Sequence, residues 1–249
     1  MSRNDKGDLA GQLEPPASSA STAATRLDAV IGKTLTHGLF IVLVMLLVFV
    51  TLPFVAPLAF ATGHAHIGTI IQLLYSPFCH QLPQRSWFFF GPQLTYTFAE
   101  ITKAAGTTDP LHLRHFYGSP ELGWKVAWSD RMVSFYFMTP IFGFVYLLLR
   151  RFENRTLAIS TKLLLLSLLP LVIDGSTHLL NDAIWGISAG GWRDTNVWLL
   201  LLTQNRFPHF YSGDQYGTFN WWMRLLTGIV AAWGMAFYIF PRLDAVLRR

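Results

Sequence analysis

An all-α transmembrane bundle is the fold this sequence predicts, and three observations predict it. Four apolar runs are long enough, or nearly so, to cross a bilayer. Hydrophobic residues make up 52% of the chain and charged residues 13%, about half the charged share of a typical soluble domain. The mean hydropathy is +0.36, and Lys and Arg gather at the ends of the apolar runs. The expected architecture is a four-helix bundle in one polytopic domain over 27–249. Two extracytoplasmic loops carry short interfacial helices.

Each element has its own warrant. Residues 1–26 are rich in Ser, Ala, Thr and Pro, a composition expected to be disordered. The first run, 38–61, exceeds the ~20 residues a span needs. Pro53 and Pro57 should kink its far end, and packed neighbours must then satisfy the freed carbonyls. Ala59-Phe60-Ala61 is similar to a small-residue cleavage site, but the run is longer and starts further in than a signal peptide's apolar core. Residues 67–78 are too short to span and read as a re-entrant or interfacial helix ended by Pro77. Trp87-Phe88-Phe89-Phe90, close to Arg85, suits the headgroup level. Residues 93–114 show little period and read as a hairpin or a loop.

The second span is expected over 132–149, bent at Pro140, and the third over 163–180. The segment 181–220 contains a short apolar stretch at 197–203, expected to lie along the membrane surface. Its remainder, 206–220, is turn-rich and aromatic. The fourth span, 221–240, has Trp and Tyr near its ends, as interface belts do. Aromatics total 15% with nine Trp. Interface belts account for that load; packing of pigment, quinone or lipid tails is the alternative.

Orientation follows from Lys and Arg close to membrane ends. Arg150, Arg151, Lys162, Arg242 and Arg248 all flank spans on the side shared by both termini, whereas the bases of the other side are spread over longer loops. The expected location is a bacterial or archaeal cytoplasmic membrane with both termini cytoplasmic. Arg131 and Arg224 then abut spans on the outer side and require a reason to be there. The formal net charge of +5 suits membrane orientation. Without a basic stripe, phosphate loop or RNA-binding aromatic signature, nucleic acid is not an expected partner. The lone Cys79 excludes an intrachain disulfide. No nucleophile elbow, zinc-protease helix or kinase signature occurs.

Two ionisable residues stand inside the third run. Asp174 and His178 are four apart, so they project from one helix face. A carboxylate near mid-membrane costs a few kcal/mol and usually faces a bundle interior. Asp174 lies about 16 Å along the helix from Leu163, toward the outer side, where Arg131 and Arg224 enter. The functional reading makes this pair the centre of a metal or ligand site. The structural reading makes Asp174 a partner of Arg131 or Arg224 and ties His178 to a loop. Cys79-His80 has the right chemistry for zinc or copper, yet neighbouring side chains diverge, and a packing cysteine beside a hydrogen-bonded histidine explains them equally.

Cys79, His80, Arg85, Asp130, Arg131, Asp174, His178, Arg193 and Arg224 could converge beneath the outer loops. Asp174, His178, Cys79 and His80 are the candidate ligands for a divalent metal ion. Arg85, Asp130, Arg131, Arg193 and Arg224 are the candidates for holding a small polar ligand or lipid headgroup. Besides a binding protein in the lipid bilayer, two readings stay open: an accessory subunit of a larger membrane complex, and a lipid-modifying enzyme. A channel is disfavoured, because polar residues clustered at one end line no continuous path.

Four motifs carry a family resemblance: Cys-His-Gln-x-Pro-x-Arg-Ser at 79–86, Leu-Pro-Leu-x-Ile-Asp-Gly at 169–175, Arg-Asp-Thr-Asn at 193–196 and Met-Arg-Leu-Leu-Thr-Gly at 223–228. In order and spacing, over about 65–242, the chain resembles the DUF2085 family of predicted integral membrane proteins. The resemblance implies a small multi-span membrane protein and carries over no catalytic assignment. Family members commonly have further cysteine where the chain enters the second span. Here that stretch is Ala127-Trp128-Ser129-Asp130-Arg131, with Ser129 in place of sulfur, which implies a divergent member.

Overall fold

The computed structural model describes residues 37–152, 157–188 and 190–248; the tail expected over 1–26 lies outside them. Four helices are long and apolar enough to cross a membrane: Gly38–Ala61, Asp130–Leu149, Thr161–Trp185 and Phe219–Leu247. The chain is therefore a mainly helical integral membrane protein, and each expected run lies inside one of these spans. The third and fourth begin at side-chain caps. Ser160 Oγ accepts from Leu163 N at 3.3 Å, and Thr218 Oγ1 accepts from Trp221 N at 3.4 Å, filling donors a helix start leaves open.

Proline shapes the first two spans. In the first, an α-helix over Gly38–Thr51 tightens to a 3-10 turn at Leu52–Phe54 and resumes over Val55–Ala61. Pro53 has no N–H to offer the carbonyl four residues back, that of Phe49. Tyr75 Oη donates to it at 2.6 Å, and Trp128 Nε1 donates to the next carbonyl, Val50, at 3.1 Å. The second span widens to a π-turn over Val133–Phe137. It lies directly ahead of Pro140, whose missing N–H leaves the Tyr136 carbonyl without an α-helical donor.

The fourth span is the most buried of the four and the third the least. Close approach at the centre relies on two glycines. A Cβ at Gly228 would overlap Ser134 Oγ, and one at Gly234 would overlap Ser167 Oγ, so small residues set the helix spacing. Leu165, Leu166, Val172 and Ile173 of the third span face outward, a surface matched to lipid rather than water.

A cap covers one end of the bundle, and it contains a sheet that the sequence reading did not anticipate. Strands β1 (Ser86–Phe89), β2 (Gly118–Ser119) and β3 (Gly123–Ser129) run antiparallel in the order β1-β3-β2. Ser86 pairs with Ser129 and Phe88 with Lys125. The aromatics at 87–90 are thus largely strand residues. Phe88 is buried against Tyr96, Ile101 and Leu113, and only Phe90 is well exposed.

Where a hairpin or loop was expected over 93–114, helices form at Phe98–Ala105 and Pro110–Arg114. The first starts at a Thr97/Glu100 capping box and ends at left-handed Gly106, signals the sequence did contain. The short helices Ala65–Tyr75 and Val197–Leu202 fall where apolar stretches too short to span were expected. Lys125 of β3 is fully buried, its Nζ donating to the carbonyls of Gln81 and Arg114 at 2.8 Å each.

Candidate functional site

Polar residues from five separate segments meet under the cap. The third span contributes Asp174, His178, Asn181 and Asp182, which recur at helical spacing along one face. The second span contributes Asp130 and Arg131 in its first turn, where Asp130 Oδ1 accepts the Arg131 N–H at 2.8 Å and offsets the helix's free donors. The fourth contributes Arg224. Arg85 comes from the turn before β1, and Arg193 and Asp214 come from the connection between the third and fourth spans.

These groups form two ion-paired sets, one of Asp182, Arg85, Asp214, Arg224 and Asp130 and one of Arg131, Asp174 and Arg193, joined where Asp130 accepts the Arg131 backbone N–H. Arg85 donates Nη1 and Nη2 to the two Asp182 oxygens at 2.7 and 3.0 Å, and Nε to Asp214 at 2.7 Å. Arg224 donates Nη1 to the other Asp214 oxygen at 2.6 Å, and its Nε reaches both Asp130 oxygens at 2.8 and 2.9 Å. Arg131 and Arg193 each donate one Nη2 to Asp174, both at 2.6 Å. Four guanidiniums therefore meet four carboxylates, and the cluster is charge-balanced. Isolated buried ions of either sign would be far costlier.

The loops are locked so that these pairs can form. Arg193 N donates to Asn181 Oδ1 at 2.9 Å, and the Arg193 carbonyl accepts from Asn220 Nδ2 at 2.6 Å and Asn196 Nδ2 at 2.9 Å. Asn196 adopts the left-handed region, φ 45°, which lets a second short helix follow at once. The Arg131 guanidinium packs beside Gly175, and a Cβ there would meet Nη1 at 3.5 Å, an ordinary van der Waals contact, so the approach does not depend on the glycine.

Electrostatics outside the spans follow from this packing. Burial alone would raise the Asp214 carboxyl; the Arg85 and Arg224 guanidiniums outweigh it and hold the group well below the usual carboxylate range. Burial likewise works against the Arg85 charge, and Asp214 with Asp182 more than compensates, so its pKa lies above the ordinary value. For Arg193 the balance falls the other way: burial depresses it, and Asp174 offsets this only in part.

Beside the ion pairs lies a cavity of about 250 Å³. Seven of the nine residues singled out from the sequence line it: Cys79, His80, Arg85, Asp130, Arg131, His178 and Arg224. Asp174 and Arg193 stand just behind, bonded to Arg131 and His178. Leu82, Met132, Leu179 and Ile187 supply the apolar part of the wall, and Asp182 also lines it. Leu179 is 66% exposed on the outer face of the third span, so the cavity borders the lipid side of the bundle.

Several donors remain unused. Arg131 Nε, Arg193 Nε and His178 Nδ1 are buried without a hydrogen-bond partner. Arg193 Nη2 lies 2.9 Å from His178 Nε2. Guanidinium can only donate, so Nε2 accepts and the imidazole proton sits on Nδ1. All three orphan atoms are therefore N–H donors.

Of the expected metal ligands, Asp174 and His178 lie side by side, Oδ1 and Nε2 3.8 Å apart, and Cys79 and His80 do not join them in a metal-holding set. Both Asp174 oxygens are held by guanidiniums. Cys79 Sγ points inward, 3.4 Å from Ser129 Oγ, and accepts from Gln81 N, while His80 is exposed at the mouth. Among the described residues no three His, Cys, Asp or Glu side chains gather in a metal-holding arrangement. The contact with Ser129 does place the position where sulfur was expected directly against the Cys79 thiol.

Asp182 and Asp214 were missed by sequence reasoning. Asp182 had a signal, since it follows His178 by four residues on the same helix face. Asp214 sits in a turn with no spacing to betray it. No protein-family model, curated protein or solved structure matches the chain.

Proposed function

We propose that this is a membrane binding protein that holds the small polar head of an amphiphile in the cavity beneath its cap. One observation carries the reading: buried N–H donors of Arg131 and His178 stand without acceptors in the wall of a cavity that also includes lipid-facing Leu179. A donor surplus selects a ligand rich in acceptor oxygens, as phosphodiester, carboxylate and carbonyl heads are. Because the four carboxylates already balance the guanidiniums, a neutral or singly charged head is favoured over a dianion. The apolar part of the wall would take the first carbons of a tail. Lys and Arg near the opposite membrane ends support a cap that faces away from the cytoplasm. The four motifs that resemble DUF2085 each contribute to this one cluster, which supports the chain as a divergent member of that family.

The test is mass spectrometry of lipids that stay with the detergent-purified full chain. Wild type is expected to retain one amphiphile at about one per chain, and Arg131→Gln to lose most of it. Leu179→Trp narrows the mouth without touching an ion pair, so it should lower retention in a protein that still folds. Identical lipid profiles in all three proteins would end the proposal.

A second reading has its own support, the equality of guanidiniums and carboxylates. A balanced network ties loops to helices without needing a ligand, as an accessory subunit of a larger complex would use it. Native co-purification of a fixed partner, with no retained amphiphile, would favour that reading.

A further inference from the structure

The opposite end of the bundle has a second pocket, of about 270 Å³, lined by the start of the first span (His37, Leu39, Phe40), the end of the second (Leu147, Arg150, Arg151) and Arg248 of the fourth. Its charge is not balanced. Asp244 is the one carboxylate paired there among the described residues. Arg150 contacts Asp244 Oδ1, Arg248 Nε lies 3.1 Å from the same oxygen, and Tyr146 Oη donates to the other at 3.0 Å. Both Asp244 oxygens are thus engaged, and among the described residues Arg151 has no acid partner. Among those residues, three guanidiniums against one carboxylate leave two positive charges around a concave site.

We propose that this pocket binds a phosphate group at the membrane surface, with Arg151 and Arg248 as its principal ligands and Arg150 held in place by Asp244. Guanidiniums suit phosphate oxygens through paired donors. A basic pocket between helix ends at the bilayer boundary is the arrangement that takes an anionic headgroup. Positive charge that only sets topology needs no cavity, whereas these three side chains share one. The apolar walls from Leu39, Phe40 and Leu147 continue toward the hydrocarbon, as a phospholipid requires. Free phosphate has the same headgroup chemistry, and the experiment separates the two sources. This site is independent of the cavity beneath the cap.

The experiment uses the full chain in detergent and measures lipid retention by native mass spectrometry at fixed ionic strength. Phosphatidylglycerol and phosphatidylcholine are added in competition, with inorganic phosphate as a separate arm. Two surface-level basic charges predict a preference of roughly thirty-fold for the anionic lipid. Arg151→Gln with Arg248→Gln should reduce it to a few-fold. Arg242→Gln is the control: Arg242 lies at the same end but outside the pocket, over the Tyr238 ring, and its loss should leave the preference intact. Retained lipid that inorganic phosphate does not displace identifies a lipid headgroup; displacement at millimolar phosphate identifies a free phosphate site. Equal retention of both lipids with no effect of phosphate overturns the proposal. So does an Arg242→Gln loss as large as that of the double variant, which would show a diffuse surface field.

Discussion

The two ends of the bundle treat buried charge in opposite ways. Under the cap, four arginines meet four aspartates, and Arg224 and Asp130 are only 2% and 1% exposed at their side chains. At the other end Arg150 and Arg248 share one aspartate, and Arg248 is 48% exposed. Where water and headgroups are excluded, every charge needs a protein partner. Where they are present, the protein can leave cations unpaired and let the surroundings answer them. The cost of a deleted partner should therefore differ sharply between the ends.

The strongest way to break that comparison is Arg224→Met. It removes the guanidinium that joins Asp130 to Asp214 and leaves both carboxylates short of a partner. The expected loss is about 3–5 kcal/mol, read as the drop in unfolding free energy in mixed micelles. A loss under about 1 kcal/mol would mean that water already reaches the cluster.

Lys125 sharpens the contrast from within the cap, since it is a buried amine with no carboxylate partner among the described residues. Burial pulls its ammonium down to about 7, Cys79 opposes this weakly, and Arg114 adds to it. Below that pH the amine is protonated in both folded and unfolded chains. Between about 7 and the ordinary lysine value near 10.4 only the unfolded chain holds the proton, so stability rises with pH at up to about 1.4 kcal/mol per unit. Denaturation of wild type and Lys125→Met across pH 6–10 measures the slope. A difference between the two that stays flat would show that the amine remains charged in the fold.

The smallest effect is expected at the exposed end. Asp244→Asn removes a carboxylate whose arginine partners retain access to headgroups and solvent, and should cost about 1 kcal/mol or less. A loss equal to that of Arg224→Met would erase the distinction between the ends.

The spans were legible because about twenty apolar residues in a row have few alternatives. Their ends were less so. The third helix continues through Asn181 and Asp182 to Trp185, and the fourth through Asp244 to Leu247, because these polar residues are satisfied by partners that hydropathy cannot see. The sheet escaped notice for a related reason. Strand β3 buries Lys125, Val126, Ala127 and Trp128 in succession, so no clean alternation of apolar and polar residues marks it. In the site, Asp174 and His178 stood out because hydrocarbon makes them expensive. Arg131 and Arg224 stood out because charge beside a span end on that side needs a reason. Asp214 had neither distinction, and only the folded loop brings it between Arg85 and Arg224.

The break at Pro53 has a consequence for how this chain is made. Two peptide oxygens of the first helix receive their donors from Tyr75 and Trp128, which are synthesised later. Until those residues are made, the Phe49 oxygen has no donor from its own helix, because Pro53 lacks the N–H. Truncation before residue 75 is therefore expected to yield a first helix that is less fully inserted than in the whole chain, read by glycosylation mapping of its far end.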